Sequence, residues 1–196
     1  VEIFFVIMRS FNVFTLLCVI AFFYTSCGEK GLEIKSGDIL FQETPSDLSF
    51  SDAVVAATRS LDNYNFSHVG VADVDSMGNV WVLEAVFSGV KSTPLDSFLM
   101  KANRIDGKAI IVVARVKEQY TDVIPSAIAS IKMLLGKEYD KEFLPDNDKY
   151  YCSELIYETY RNNNNPIFEA HPMTFCDKTT GELSPLWKEY FDELQK

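Results

Sequence analysis

Tyr150-Tyr151-Cys152-Ser153-Glu154-Leu155-Ile156-Tyr157 (YYCSELIY) follows the turn-forming run Pro145-Asp146-Asn147-Asp148. A polar turn ahead of an apolar-periodic segment predicts a helix, with Asn147 or Asp148 as its cap. Cys152 then falls in the first turn, where the positive end of the helix dipole favours thiolate, the nucleophilic form. Cys152, Leu155, Ile156, Thr159 and Tyr160 recur at the spacing of one helical face, so the sulfur points toward whatever that helix packs on. Free cysteine is also among the most buried residue types. Two readings therefore stand at this point: a small core hydrophobe, or a nucleophile with a base elsewhere in the chain.

The search for a base is short, because the sequence holds two histidines. His68 lies in Ser67-His68-Val69-Gly70, an apolar stretch that reads as a strand with Phe66, His68, Gly70 and Ala72 on one face. Small residues beside it leave room for a helix end or a substrate to approach. A structural histidine is the bland alternative. His171, beside Pro172, reads as a loop residue and a secondary candidate through its proximity to Cys176. An orienting group for His68 is available in Glu84, within Val80-Trp81-Val82-Leu83-Glu84-Ala85-Val86. The turn Asp75-Ser76-Met77-Gly78-Asn79 should join these two stretches as a hairpin. If it centres near Ser76-Met77, His68 pairs with about residues 84–85, and a slip of one residue would carry Glu84 to the opposite face. A carboxylate between Leu83 and Ala85 is costly to bury alone, and an imidazole N–H would satisfy it. An exposed strand glutamate is the alternative.

The 196-residue chain is 47% hydrophobic, enough for one well-buried domain. Part of that content is not fold. Residues 8–27 carry Arg9, an apolar run from Val13 to Tyr24, and Thr25-Ser26-Cys27-Gly28, the layout of a secretory leader. The cysteine after small residues resembles a bacterial lipoprotein signal, which makes Cys27 the expected lipid-bearing residue; Tyr24 is unusual in that pattern. Residues 1–7 read as upstream of a start at Met8, and an uncleaved membrane anchor is the alternative. The expected domains are a leader over 1–27, a tether over 28–35 and one folded domain over 36–196. The protein is then exported and membrane-anchored, on the periplasmic or cell-surface side.

The net charge is −10, and the leader contributes one acid and one base, so its loss changes nothing. That acidity speaks against a nucleic-acid partner and against electrostatic attachment to anionic lipid. An acyl anchor works by apolar burial and is compatible with it. Cys152 and Cys176 remain in the domain, and the sequence leaves open whether they pair. No His/Cys cluster has zinc spacing, so neither a metal nor another cofactor is expected.

In chain order, Ser36-Gly37-Asp38 reads as a turn and Ile39-Leu40-Phe41 as a short strand. Residues 47–61 read as a helix, 66–72 and 80–86 as the hairpin strands, and 94–102 as a short helix with Thr93 as cap. Residues 109–116 form the most apolar strand, 121–135 an amphipathic helix stopped by Gly136, and 184–194 a last helix. Helices and antiparallel strands fall in separate groups, an α+β layout.

Gly37–Phe41 (GDILF), Ser67–Ala72 (SHVGVA), Val82–Ala85 (VLEA), Gly136–Asp140 (GKEYD) and Tyr150–Leu155 (YYCSEL) occur in an order that resembles one known group. That group is the permuted papain-like hydrolases of the YiiX/YaeF type, a circularly permuted branch of the NlpC-type cell-wall peptidase superfamily. The resemblance spans about residues 35–165. It implies an antiparallel sheet or small barrel packed against helices, with the cysteine helix late in the chain. It further implies Cys152 as nucleophile, His68 as base and Glu84 as the polar third member. Tyr151 and the backbone N–H of Cys152 become oxyanion donors by the same resemblance, and Asp38 a turn residue. The implied reaction is hydrolysis of a peptide or acyl-amide bond through an acyl-enzyme, with peptidoglycan fragments or acyl amides as substrates. Lipid acyl hydrolysis or acyl transfer, and an inactive lipoprotein binding module, are the competing readings.

Overall fold

In chain order the strands are β1 (Glu2–Met8), β2 (Ile39–Gln42), β3 (His68–Val74), β4 (Val80–Val86), β5 (Gly89–Pro94), β6 (Arg104–Ile105), β7 (Lys108–Arg115), β8 (Arg161–Asn162) and β9 (Asn165–Pro166). The helices are α1 (Phe50–Ala57), α2 (Leu95–Met100), α3 (Ile124–Met133), α4 (Cys152–Thr159) and α5 (Pro185–Leu194), with a 3₁₀ turn at Glu118–Val123 ahead of α3. This computed structural model describes residues 2–8, 33–46, 50–58, 64–171, 173–177 and 179–195. Cys27, with most of the expected leader and tether, lies outside the described residues. Among the described residues, no helix is long and apolar enough to cross a membrane.

The main sheet runs β1-β7-β2-β3-β4-β5, with β6 on β7, and its pairings are antiparallel. Alternation splits its side chains between two covered faces. One face carries Leu40, Ala72, Val82, Ile111 and Val113 against Phe98 of α2 and the following Ala102. The other carries Ile39, Val69, Val71, Leu83 and Val90 against Ala127 and Ile131 of α3, Leu155 and Ile156 of α4, and the following Tyr160. The expected α+β layout is the one observed.

Several elements differ from the sequence reading, each for a physical reason. Residues 89–94 form a full strand on β4, so Thr93 is a strand residue opposite Val82 rather than a helix cap. The turn Phe87-Ser88 permits this return because Gly89 takes φ 105°, a conformation costly for other residues. The expected 47–61 helix is described over 50–57, and the expected 121–135 helix starts as the 3₁₀ turn and becomes α-helical at Ile124, with Pro125 in its first turn. The α4 helix is capped differently from expectation. Tyr151 is its N-cap, and the Glu154 side chain reaches back to accept the Tyr151 N–H at 3.2 Å. Asn147 instead accepts the Lys149 N–H, and Asp148 pairs with Lys137.

The Gly37-Asp38 turn ties both layers together. Arg115 holds the buried Asp38 carboxylate through Nε and a terminal nitrogen, both at 2.6 Å. Tyr160, fully buried just past α4, donates its hydroxyl to the Gly37 carbonyl at 3.0 Å. The far end of α4 is thereby fixed to the turn that starts β2.

Hairpin register decides which side chains share a face. Val71 pairs with Leu83 and Ala72 with Val82, which sets Gly70 opposite Glu84 and His68 opposite Val86. The expected pairing of His68 with residues 84–85 is thus off by about one, because the turn closes between Asp75 and Asn79 around Met77. The observed register is the one that puts His68, Gly70 and Glu84 on one face. A Cβ at Gly70 would lie 2.5 Å from Val82 Cγ1 and 3.4 Å from Glu84 Cβ, with Val82 fully buried. Gly70→Ala is expected to destabilise the fold by about 1–3 kcal/mol through overpacking. Chemical denaturation measures it, and an unchanged midpoint would mean that the hairpin relaxes freely.

Candidate active site

Glu84 sits in the middle of β4 with its side chain fully buried. A buried carboxylate needs partners, and three neighbouring segments supply them. The His68 Nε2–H donates to Oε2 at 2.7 Å, the Thr93 hydroxyl donates to Oε1 at 2.6 Å, and Lys101 Nζ stands 3.6 Å from Oε1. Nε2 being occupied, Nδ1 is the nitrogen left to face another group.

Cys152 lines the same cleft as His68 and contributes to the raised value of its ring. Alternation places His68 on the α2 face, whereas α4 packs on the opposite face. The two meet because His68 is the first residue of β3 and Cys152 the first of α4, so both stand at the rim of the sheet. The structure therefore gathers Cys152, His68 and Glu84 at one cleft, with His68 bonded to Glu84. It does not bring His171 into that cluster; His171 is exposed in its loop. Cys152 and Cys176 are both free thiols.

The electrostatics follow from this grouping. Burial works against the charged imidazole, but hydrogen bonds to Cys152 and Glu84, and attraction to the charge of each, outweigh it and raise His68 from 6.5 to about 9. Burial likewise pushes Glu84 up, and its bonds to His68 and Thr93, with the His68 and Lys101 charges, bring it below the ordinary range. Glu154, in the first turn of α4, is raised to about 7, first by burial and then, against its bond from the Tyr151 N–H, by Asp140 and Glu158.

Two clefts meet at Cys152. One, of about 230 Å³, is walled by Phe50, Val54, Phe143, Met173 and Trp187, with Tyr151 and Ser153 beside the thiol. The other, of about 180 Å³, holds His68, Glu84, Gln42, Lys101 and the hydroxyls of Thr44, Ser51 and Ser67. Phe50 and Tyr139 border both. Phe50 stacks on Phe143 at 6.0 Å between centroids and meets Trp187 edge-on at 5.7 Å, so the apolar wall is made by α1, α5 and the loop before α4. Tyr151, the expected oxyanion donor, is half-buried in this wall, and burial raises its hydroxyl to about 12.

A sequence profile described as that of the permuted papain-like amidase enzyme family, YaeF/YiiX, C92, matches residues 33–182. The chain belongs to this family. The uncharacterized protein YiiX of Escherichia coli K12 is 35% identical over 133 residues, covering 65% of this chain and 58% of its own length. The chain therefore spans less than two thirds of that relative. A crystal structure described as that of metalloprotein YiiX from E. coli O157:H7 superposes with a TM-score of 0.53 at 33% identity, covering 66% of each chain. Among the described residues of the present chain, no group of three or more His, Cys, Asp or Glu side chains could hold a metal ion.

Sequence reading missed Thr93, Lys101 and Gln42. Thr93 was hidden because β5 was not recognised, and Gln42 because the strand Ile39-Leu40-Phe41 was ended one residue early. The signal for Lys101 was a single cation closing an apolar helix.

The His68 environment carries a direct test. Glu84→Gln keeps an acceptor for Nε2–H but removes the charge, so the His68 value should fall by about 1–3 units, read by NMR titration of the ring. The raised value also makes His68 a source of stability that is fully present below pH 6.5 and lost as pH rises through about 9. That alkaline loss should shrink in Glu84→Gln.

Proposed function

We propose that this protein is a cysteine amidase that cleaves a peptide or acyl-amide bond in the cell envelope through a thioester acyl-enzyme. Membership of an amidase family supports hydrolysis of an amide. The observation that carries the mechanism is the imidazole of His68, bonded to the buried Glu84 and sharing a cleft with Cys152, the residue at which the two clefts meet.

In this reading His68 and Cys152 stand as an imidazolium–thiolate pair, and the sulfur attacks the carbonyl carbon. The C–N bond breaks as the imidazolium returns a proton to the leaving nitrogen. Water, deprotonated by the same imidazole, then releases the acid from the thioester. Glu84 keeps the ring oriented and stabilises its charged form, the part played by the acidic member of a nucleophile-base-acid set. The Cys152 backbone N–H, at the first helical position, has no intrahelical acceptor and is aimed at the oxyanion, with Tyr151 beside it. Cys27 carries the lipid that holds the exported enzyme at the membrane. The apolar wall beside the thiol also favours lipid acyl hydrolysis or acyl transfer as a second reading, since a thioester serves either acceptor.

The protein should hydrolyse at least one member of a panel of muropeptides, acyl amides and acyl lipids, and Cys152→Ser or His68→Ala should lower the rate by about 10³-fold or more. The panel member cleaved separates the two readings. A cysteine-directed covalent probe should label Cys152 in the native protein and fail to do so in His68→Ala; equal labelling would favour a binding module instead. Palmitate incorporation should depend on Cys27, and its persistence in Cys27→Ser would sink the lipoprotein reading.

A further inference from the structure

Resting on the amidase reading, we propose that the substrate is an amide joining an apolar acyl group to an amine that bears a carboxylate, with Lys101 binding that carboxylate. The direction of the substrate follows from the proton it must receive. The leaving nitrogen has to reach His68, so the leaving group lies in the cleft that His68 lines. The other cleft contains Cys152 and Ser153 but neither His68 nor Glu84, and therefore takes the acyl side.

The two clefts share an apolar lining and differ in their ionisable side chains. The acyl cleft is aromatic and aliphatic through Phe50, Val54, Phe143, Met173 and Trp187. At about 230 Å³ it is smaller than the ~300–1,000 Å³ of pockets that hold drug-sized ligands, and so suits a short acyl chain or one apolar side chain. The leaving-group cleft is also apolar in part, through Phe50, Val86 and Phe87, but it alone carries Lys101, His68 and Glu84, with Gln42 and the hydroxyls of Thr44, Ser51 and Ser67. Thr44 Oγ1 lies 2.5 Å from Ser67 Oγ and donates to Ser51 Oγ at 3.0 Å. Gln42 is 1% exposed; its Nε2 donates to the Phe98 carbonyl at 2.6 Å, while its Oε1 has no hydrogen-bond partner. That acceptor suits the N–H of the departing amine.

Lys101 supplies the charge. Its side chain is 48% exposed at the cleft, and its ion pair with Glu84, at 3.6 Å, is longer than a charge-assisted hydrogen bond. Glu84 is already held by His68 and Thr93 at 2.7 and 2.6 Å, so the ammonium keeps donors for a second anion. In a chain with net charge −10, a cation in the cleft that Cys152 borders selects for an acidic leaving group. The reaction is the one already balanced above: the S–C bond forms, the C–N bond breaks, and the amino acid departs with the His68 proton.

Protection of Cys152 from iodoacetamide in the full chain tests this without relying on turnover. Three ligands are compared at early times: N-hexanoylglycine, N-hexanoylglycinamide and N-acetylglycine. N-hexanoylglycine should protect at a concentration about tenfold lower than either of the others. In Lys101→Met its advantage over the glycinamide should vanish, and Lys101→Arg should restore it. Equal protection by acid and amide, or protection by none, overturns the proposal. A Lys101→Met protein that keeps the preference, or that changes only its unliganded alkylation rate, also overturns it, since Lys101 would then act through Glu84 alone. The parent reading is scored separately: it fails if unliganded Cys152 reacts equally fast in His68→Ala.

Discussion

A carboxylate with no exposed surface, Glu84, is the constraint on which the rest of the site depends. Leaving it unpaired would cost several kcal/mol, more than a marginally stable domain can spare. Its partners come from β3, from β5 and from the end of α2, so satisfying one side chain fixes the register of three strands and the seat of a helix. Gly70 belongs to the same constraint, since the position facing Glu84 has no room for a Cβ. The imidazole is locked in direction by this network before any substrate arrives, which is what preorganisation of a base requires.

The thiol is delivered from the other side of the sheet. Helix α4 owes its place to Leu155, Ile156 and Tyr160, all buried, and to the Tyr160–Gly37 hydrogen bond. Its N-terminus then has nowhere to go but the sheet rim, where β3 begins. In a permuted chain the Cys152 helix follows the strands, and packing alone brings Cys152 to the cleft that His68 lines. Because α1, α5 and the loop before α4 close around that rim, the thiol opens into an aromatic cleft on one side and, on the other, one that holds Lys101, His68 and Glu84.

Much of this was legible in the residues. The buried face of α4 followed from helical spacing, and Leu155, Ile156, Thr159 and Tyr160 are all buried as that spacing required. The Asp75–Asn79 turn and the strand at 80–86 were readable because turn chemistry is local. Strand β5 was not, since Lys91, Ser92 and Thr93 lack an apolar alternation and are strand-forming only by pairing with β4. The α4 cap was misplaced for a related reason: Asn147 and Asp148 are good caps by type, but the loop spends them on Lys149 and Lys137.

By itself the sequence determined the α+β class, the helix that presents Cys152 and the small set of groups able to serve it, because periodicity, turn residues and a count of two histidines are local facts. Only the tertiary structure decided that Glu84 faces His68, that Thr93 and Lys101 hold it, and that two clefts, one of them with ionisable side chains, meet at the sulfur. Those depend on strand register and on packing across the sheet, and a shift of one residue, invisible in composition, would reverse them.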